Sequence, residues 1–321
     1  MTLVPEPYPR VARVRSAIPD ILNPIGYEVR LSDDPRVDFG GAISWPQCAK
    51  LAAIGRSDSA FPHLASHEVW RTLAAFADAW GDASRALDRY VPFIGFEFDL
   101  DEGPASVPVP SVFAMFDWPI GVDPVNDARR VEHTAISVLD LLLGAHLSDG
   151  TRRNIAGCFR NLPARARIIS AGAMLGRSVD AARIFACVPP VDVPAYLSSV
   201  GWPGDRDAVA RFVAESRSHH TNGVVQFQID VGPVVGERMG VEFSYMGRPD
   251  AAARWIALLD WIVAAGLCRP WKRDALLAWP GIVTAGGPAF RDVSHVKVVL
   301  GGGRPVEAKA YLSMTPMTSP R

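Results

Sequence analysis

The chain has few of the features that most directly signal a function. Its 321 residues include only four cysteines, Cys48, Cys158, Cys187 and Cys268, which are far apart and form no CxxC pair. That excludes a disulfide scaffold and a zinc knuckle, and it fits a reducing compartment. Neither sign of charge prevails. There are 33 Lys+Arg against 34 Asp+Glu, so bulk charge gives no footprint for nucleic acid. The longest apolar helical stretch, near Val131 to Leu147, carries Glu132, His133 and Asp140 and is too short and too charged to span a bilayer. Residues Met1 to Glu6 lack the basic and apolar regions of a secretion signal, so a cytoplasmic location is expected. The Walker A, GxGxxG, GxSxG and HExxH strings are absent, which removes the families they mark but not an enzyme without a short motif. No Ser/Gly-rich linker or charge block divides the sequence, so residues 1–321 are expected to form one domain.

What is present is an alternation of hairpins and helices. His295 to Leu300 and Glu307 to Ser313 flank the turn Gly301-Gly-Gly-Arg-Pro305, and two runs of period two around such a turn predict a hairpin. The same shape recurs at Val224–Asp230 with Gly240–Tyr245, at Ala166–Gly172 with Ala182–Val188, and at Phe93–Leu100 with Ser111–Phe116. It recurs more faintly at Ile25–Leu31 with Val37–Trp45. Apolar stripes of period 3.6 predict helices over His67–Tyr90, Ala128–Leu147 with a polar continuation to Phe159, Asp205–Ser216 and Asp250–Leu267, with a short one at Trp271–Trp279. The predicted order is ββ-α repeated and closed by a final hairpin. This is an α+β chain whose ten antiparallel strands can close into a barrel with helices on its outer face. Alternation then sends every second strand residue into the lumen.

Several features have a plain reading. His63 and His67 are four apart but have no third partner for a metal, so a capping or surface role is expected, and no metal site is assigned. His219 and His220 are expected in solvent. Gly301 to Arg304 reads as a turn rather than a phosphate cradle, because no helix follows it. Cys268 is read as structural.

On the strands themselves, Phe93-Ile-Gly-Phe-Glu-Phe-Asp, Ala182-Arg-Ile-Phe-Ala-Cys-Val-Pro189 and Glu307-Ala-Lys-Ala-Tyr-Leu312, in this order, resemble strands of the ABBA aromatic prenyltransferases, the PT-barrel family. The resemblance is mostly architectural and covers residues 20 to 314. It implies a ten-stranded barrel of repeated ββα units, a transferase acting on an allylic diphosphate, and an aromatic small molecule or peptide side chain as acceptor. By that resemblance Glu97 handles the acceptor. Glu28 and Glu242 lie in the same apolar-Gly-apolar-Glu-apolar pattern, and Glu28 is taken with Glu97 as a catalytic candidate. Arg183, His295, Lys297, Lys309 and Tyr311 are the candidates for holding diphosphate, since alternate basic and phenolic residues on facing strands converge on one lumen. The nine tryptophans are expected to help wall off an allylic cation. No cofactor is required. Mg²⁺ serves some members of the family, but the Asp-rich DDxxD motif is absent. The protein is expected to act as a monomer, without nucleic acid or membrane. Two departures stand out: Ser111–Phe116 lacks an arginine, and Val241–Tyr245 carries Glu242 and Ser244 where Lys-x-Tyr is usual. They motivate an alternative reading, an accessory barrel that binds a peptide or ligand without chemistry.

Overall fold

The computed structural model describes all residues except 1–2, 5–8, 57–58, 83, 85–86, 101–106, 118–123, 144–146, 178, 285–286 and 318–321. Five hairpins form where alternation predicts them. They are β1 (Ile25–Arg30) with β2 (Val37–Ser44), β3 (Phe93–Phe98) with β4 (Ser111–Met115), β5 (Arg167–Ala173) with β6 (Ala182–Val188), β7 (Val225–Val231) with β8 (Val235–Phe243), and β10 (Ala289–Gly301) with β11 (Arg304–Pro316). Between the last two lies β9 (Gly281–Val283), a short strand that pairs only with the start of β10. Each of the ten long strands pairs antiparallel with the next, and β11 returns to β1, with Arg30 opposite Lys309 and Glu28 opposite Tyr311. The sheet is therefore a closed barrel, with the ten strands that five hairpins predict. The final turn works because Gly302 and Gly303 both adopt positive φ, which side chains resist.

The helices sit outside. They are α1 (Pro9–Ala17), α2 (Cys48–Ala52), α3 (Pro62–Ala65), α4 (Glu68–Gly81), α5 (Pro124–Leu143), α6 (Asp149–Arg160), α7 (Val193–Ser199), α8 (Arg206–Glu215), α9 (Ala251–Ala264) and α10 (Pro270–Leu277). The α5 helix packs on β5, α6 on β6 and β7, and α8 on β11. The principal core lies between this helical layer and the outer barrel face. On β3, for example, Ile94, Phe96 and Phe98 are buried outward while Gly95 and Glu97 face the lumen. Phe76 stacks on Trp80, and Tyr27 meets Trp279 edge-on. No described helix is long and apolar enough to cross a membrane.

The tryptophans correct one expectation. Trp70, Trp80, Trp202, Trp255 and Trp279 are buried in the outer layer or its connections, and none of the described tryptophans lines the lumen cavity. The stripes at 3.6 spacing that hold Trp70, Trp80 and Trp255 serve helix packing instead. A second correction concerns His219. It is buried rather than solvated, with its ring against Trp261 at 5.3 Å between centroids.

Candidate active site

The lumen holds a cavity of about 390 Å³. Glu28, Glu97, Arg183, Lys297 and Lys309 line it, so five of the seven residues singled out from the sequence meet in one space. The other two, His295 and Tyr311, stack on each other just beyond, with centroids 4.0 Å apart and planes 15° apart. Lys297 Nζ lies 4.6 Å from the centre of the Tyr311 ring. Strand register explains the convergence. Lys297 faces Lys309 on β11 and Glu242 on β8, Arg183 faces Asp230 on β7, and Gly40 faces Glu97 on β3. Every polar residue here occupies an alternate position, and the intervening aliphatic residues point to the helices.

Most of the cations already hold carboxylates. Lys309 Nζ donates to Glu28 Oε1 at 2.8 Å. Arg183 donates to Asp230 through Nε at 2.7 Å and Nη2 at 3.1 Å. Arg30 Nη1 donates to Asp38 Oδ2 at 2.5 Å and lies 3.3 Å from Glu28 Oε1. Nearer the mouth, Arg177 grips Asp99 with two nitrogens, and Arg238 lies 3.3 Å from Glu307. Lys297 differs. Among the described residues its ammonium approaches a neutral partner, Gln228 Oε1, at 3.5 Å, while Gln228 Nε2 donates to Glu242 Oε1 at 2.5 Å.

The three glutamates share a local sequence pattern but not an environment. Burial by itself would raise Glu28, but Lys309, Lys297 and Arg30 together hold its carboxyl well below the usual range. Burial raises Glu97, only partly opposed by Lys297 and Arg183, and the neighbouring Glu28 and Glu242 raise it further. No described side chain hydrogen-bonds or ion-pairs with the Glu97 carboxylate. Burial likewise carries Glu242 up to about 7 against the pull of Lys297 and Arg183. His295 moves the other way: burial, with Lys297 beside it, lowers it to about 3, so its imidazole is neutral at pH 7. The Tyr311 hydroxyl is held far above its ordinary value, first by burial and then by the field of Glu28, Glu97 and Glu242.

Sequence reasoning missed Gln228, Asp230, Arg30 and Asp38. The signal was available, since Gln226, Gln228 and Asp230 alternate on β7 with buried aliphatic and aromatic residues. Asp38 stands opposite Glu28 across the first hairpin and accepts a hydrogen bond from Arg30, two positions along β1. Among the described residues no group of three or more His, Cys, Asp or Glu is arranged to hold a metal ion. Among the described residues the cavity wall contains no aromatic ring. Aromatic groups at lumen-facing positions include Tyr311, Phe185 and Phe113, whose ring occupies the space over Gly172.

No protein-family model and no curated protein matches the sequence. Solved structures do match the fold. One is 6-dimethylallyltryptophan synthase from Micromonospora olivasterospora, in complex with DMASPP and Trp. It aligns with a TM-score of 0.53 at 13% identity, over 90% of this chain and 81% of that one. Another is AnaPT from Neosartorya fischeri, with a TM-score of 0.50 at 10% identity, over 92% of this chain and 78% of that one. Identities this low carry the architecture rather than the chemistry. With ten antiparallel strands closed through β1 and β11 and helices outside, the chain has the PT-barrel fold of the ABBA aromatic prenyltransferases.

Proposed function

We propose that this protein transfers a prenyl group from an allylic diphosphate to an aromatic acceptor inside the barrel. The observation that carries this reading is the convergence of Arg183, Lys297 and Lys309 on one cavity that Glu97 also lines. Diphosphate is a strong anion, and charge-assisted hydrogen bonds from Lys and Arg suit it. In the proposed step the allylic C–O bond breaks, and its electron pair leaves with the diphosphate oxygen. The acceptor ring forms the new bond to the allylic carbon, and the displaced ring proton passes to a carboxylate. Glu97 suits that last role, because burial raises its proton affinity and no described partner occupies it. Glu28, held ionised by Lys309, acts as a counter-ion that orients the cation rather than as the base. His295 and Tyr311 offer neutral hydrogen-bonding groups at the inner end of the cavity. The acceptor remains an aromatic small molecule or a peptide side chain.

A specific observation favours a second reading, a barrel that binds a ligand without chemistry. Arg183 and Lys309 are already satisfied by Asp230 and Glu28, and among the described residues no aromatic ring walls the cavity against water. A donor would have to draw both cations from their partners.

Thermal unfolding with dimethylallyl and geranyl thiolodiphosphates, with and without Mg²⁺, separates the two. Donor at one hundred times its Kd stabilises by about 2.7 kcal/mol. Transfer requires a saturable shift that Lys297→Ala abolishes, and release of diphosphate when an acceptor such as tryptophan is added to the natural donor. No shift with any allylic diphosphate would overturn the transferase reading and leave the ligand-binding barrel.

A further inference from the structure

A second cavity, of about 560 Å³, lies outside the barrel and is not used by the proposed chemistry. The α1 helix, the start of α4, the end of β3 and the segment Val107–Val109 enclose it. Its character is unlike that of the lumen. Val14, Phe98, Leu100, Val109 and Leu175 give it an apolar wall, while Arg10 and Arg13 stand on its α1 side. Asp99 belongs to both cavities but is committed to Arg177 by two parallel hydrogen bonds, so the acidic residue at this boundary is already neutralised. Two hydrogen bonds pin the walls. Arg10 Nη1 donates to the Leu100 carbonyl at 2.9 Å, tying α1 to the residues just after β3, and Trp70 Nε1 donates to the Pro108 carbonyl at 2.8 Å, tying α4 to the facing segment. The cleft is thus preformed, which spares a ligand the cost of ordering it.

We infer that this cleft binds a small organic carboxylate, with an apolar body against the valine, leucine and phenylalanine wall and its anionic head toward Arg13. The chemistry is that of most small-molecule sites, a largely apolar enclosure with a few convergent polar groups. The size suits one or two fused rings or a medium-length alkyl chain. A polyanion such as diphosphate does not fit it, because most of the wall offers no donor.

1-Naphthoate is a suitable probe, read by calorimetry and by the emission of Trp70 beside the wall. It is expected to bind saturably, and its neutral methyl ester at least about ten-fold more weakly. Arg13→Glu, at an exposed position, reverses the head-group charge and is expected to cost naphthoate at least about ten-fold in Kd. Val109→Trp fills the cleft and is expected to abolish binding. If that variant fails to fold, Arg13→Glu decides alone. Saturating dimethylallyl thiolodiphosphate, the probe for the lumen, is expected to leave naphthoate binding unchanged, so the cleft and the proposed donor site fail independently. The inference is overturned if naphthoate does not bind at millimolar concentration, if Arg13→Glu binds it as tightly as the parent protein, or if dimethylallyl thiolodiphosphate displaces it.

Discussion

Lys309 and Glu28 form an ion pair of 2.8 Å across the seam where the last long strand meets the first. They are 281 positions apart in the chain. Both side chains are largely buried, so removing Lys309 leaves the Glu28 carboxylate with Arg30, at 3.3 Å, as its remaining ion-pair partner among the described residues. Lys309→Met is expected to destabilise the protein by about 3 kcal/mol, and Glu28→Gln added to it to restore most of the loss. Urea unfolding of the two single variants and the double variant measures this. Equal destabilisation in Lys309→Met and the double variant would show that the pair is not the source.

Acid–base behaviour should divide between Glu242 and His295. Folded Glu242 holds its proton up to about 7, against an ordinary value of 4.5, so it binds protons more tightly folded than unfolded in that window. Its contribution is complete at low pH and is lost as pH rises from 4.5 to 7. His295 is lowered from 6.5 to about 3, so its contribution is complete above 6.5 and is lost as pH falls toward 3. The two oppose each other between 4.5 and 6.5. Melting temperature against pH is expected to decline toward acid more steeply in Glu242→Gln than in the parent, and to decline toward neutral pH more steeply in His295→Asn. Parallel curves for all three proteins would contradict both assignments.

Gly240 makes room for the stem of Lys297. A Cβ built at this position would lie 2.8 Å from Lys297 Cδ. The lysine stem is flexible, so Gly240→Ala is expected to leave the melting temperature nearly unchanged while pushing the ammonium off its place. Affinity for dimethylallyl thiolodiphosphate should fall about ten-fold, equivalent to about 1.4 kcal/mol. Unchanged affinity would remove Lys297 from the donor site.

Lys272 is buried on α10, and its ammonium donates to the carbonyls of Arg30 at 2.6 Å and Asp34 at 2.8 Å. It anchors the end of β1 and the turn after it, and through them the position of Arg30. Lys272→Met leaves two carbonyls without that donor and is expected to cost about 3 kcal/mol. Urea unfolding provides the check, and hydrogen exchange should show new opening at residues 31–36.

The strands were legible because a barrel wall imposes period two and punctuates it with Gly and Pro. Even the faintest predicted hairpin, Ile25–Leu31 with Val37–Trp45, is there as β1 and β2. Lys297, Lys309, Arg183 and Glu97 were legible as a set for the same reason, since alternation assigns a face. Their partners were not. Whether Lys309 meets Glu28 depends on which strands become neighbours, and that is set by closure rather than by any local pattern. The three similar Glu positions therefore looked alike, and only the cations around each separate them. The tryptophans misled for a related reason: a count of residues does not say which side of the sheet they occupy. Helices α1, α2, α3 and α7, of nine or fewer residues each, were not predicted, since so short a segment shows little of a 3.6 stripe, although α10, with eight, was.

The β1–β11 seam also sets the order of events during synthesis. A chain emerging from the ribosome can pair β1 with β2 early, but the other edge of β1 stays open until β11, nearly three hundred residues later, has been made. Until then Glu28 and Arg30 belong to an open trough in which water supplies the counter-charge. The enclosed polar chamber is thus a late product, formed in one stroke when the final hairpin docks. Long-range closure of this kind slows folding and leaves an unpaired strand edge exposed meanwhile. Any release of the last hairpin would return the chamber to solvent all at once.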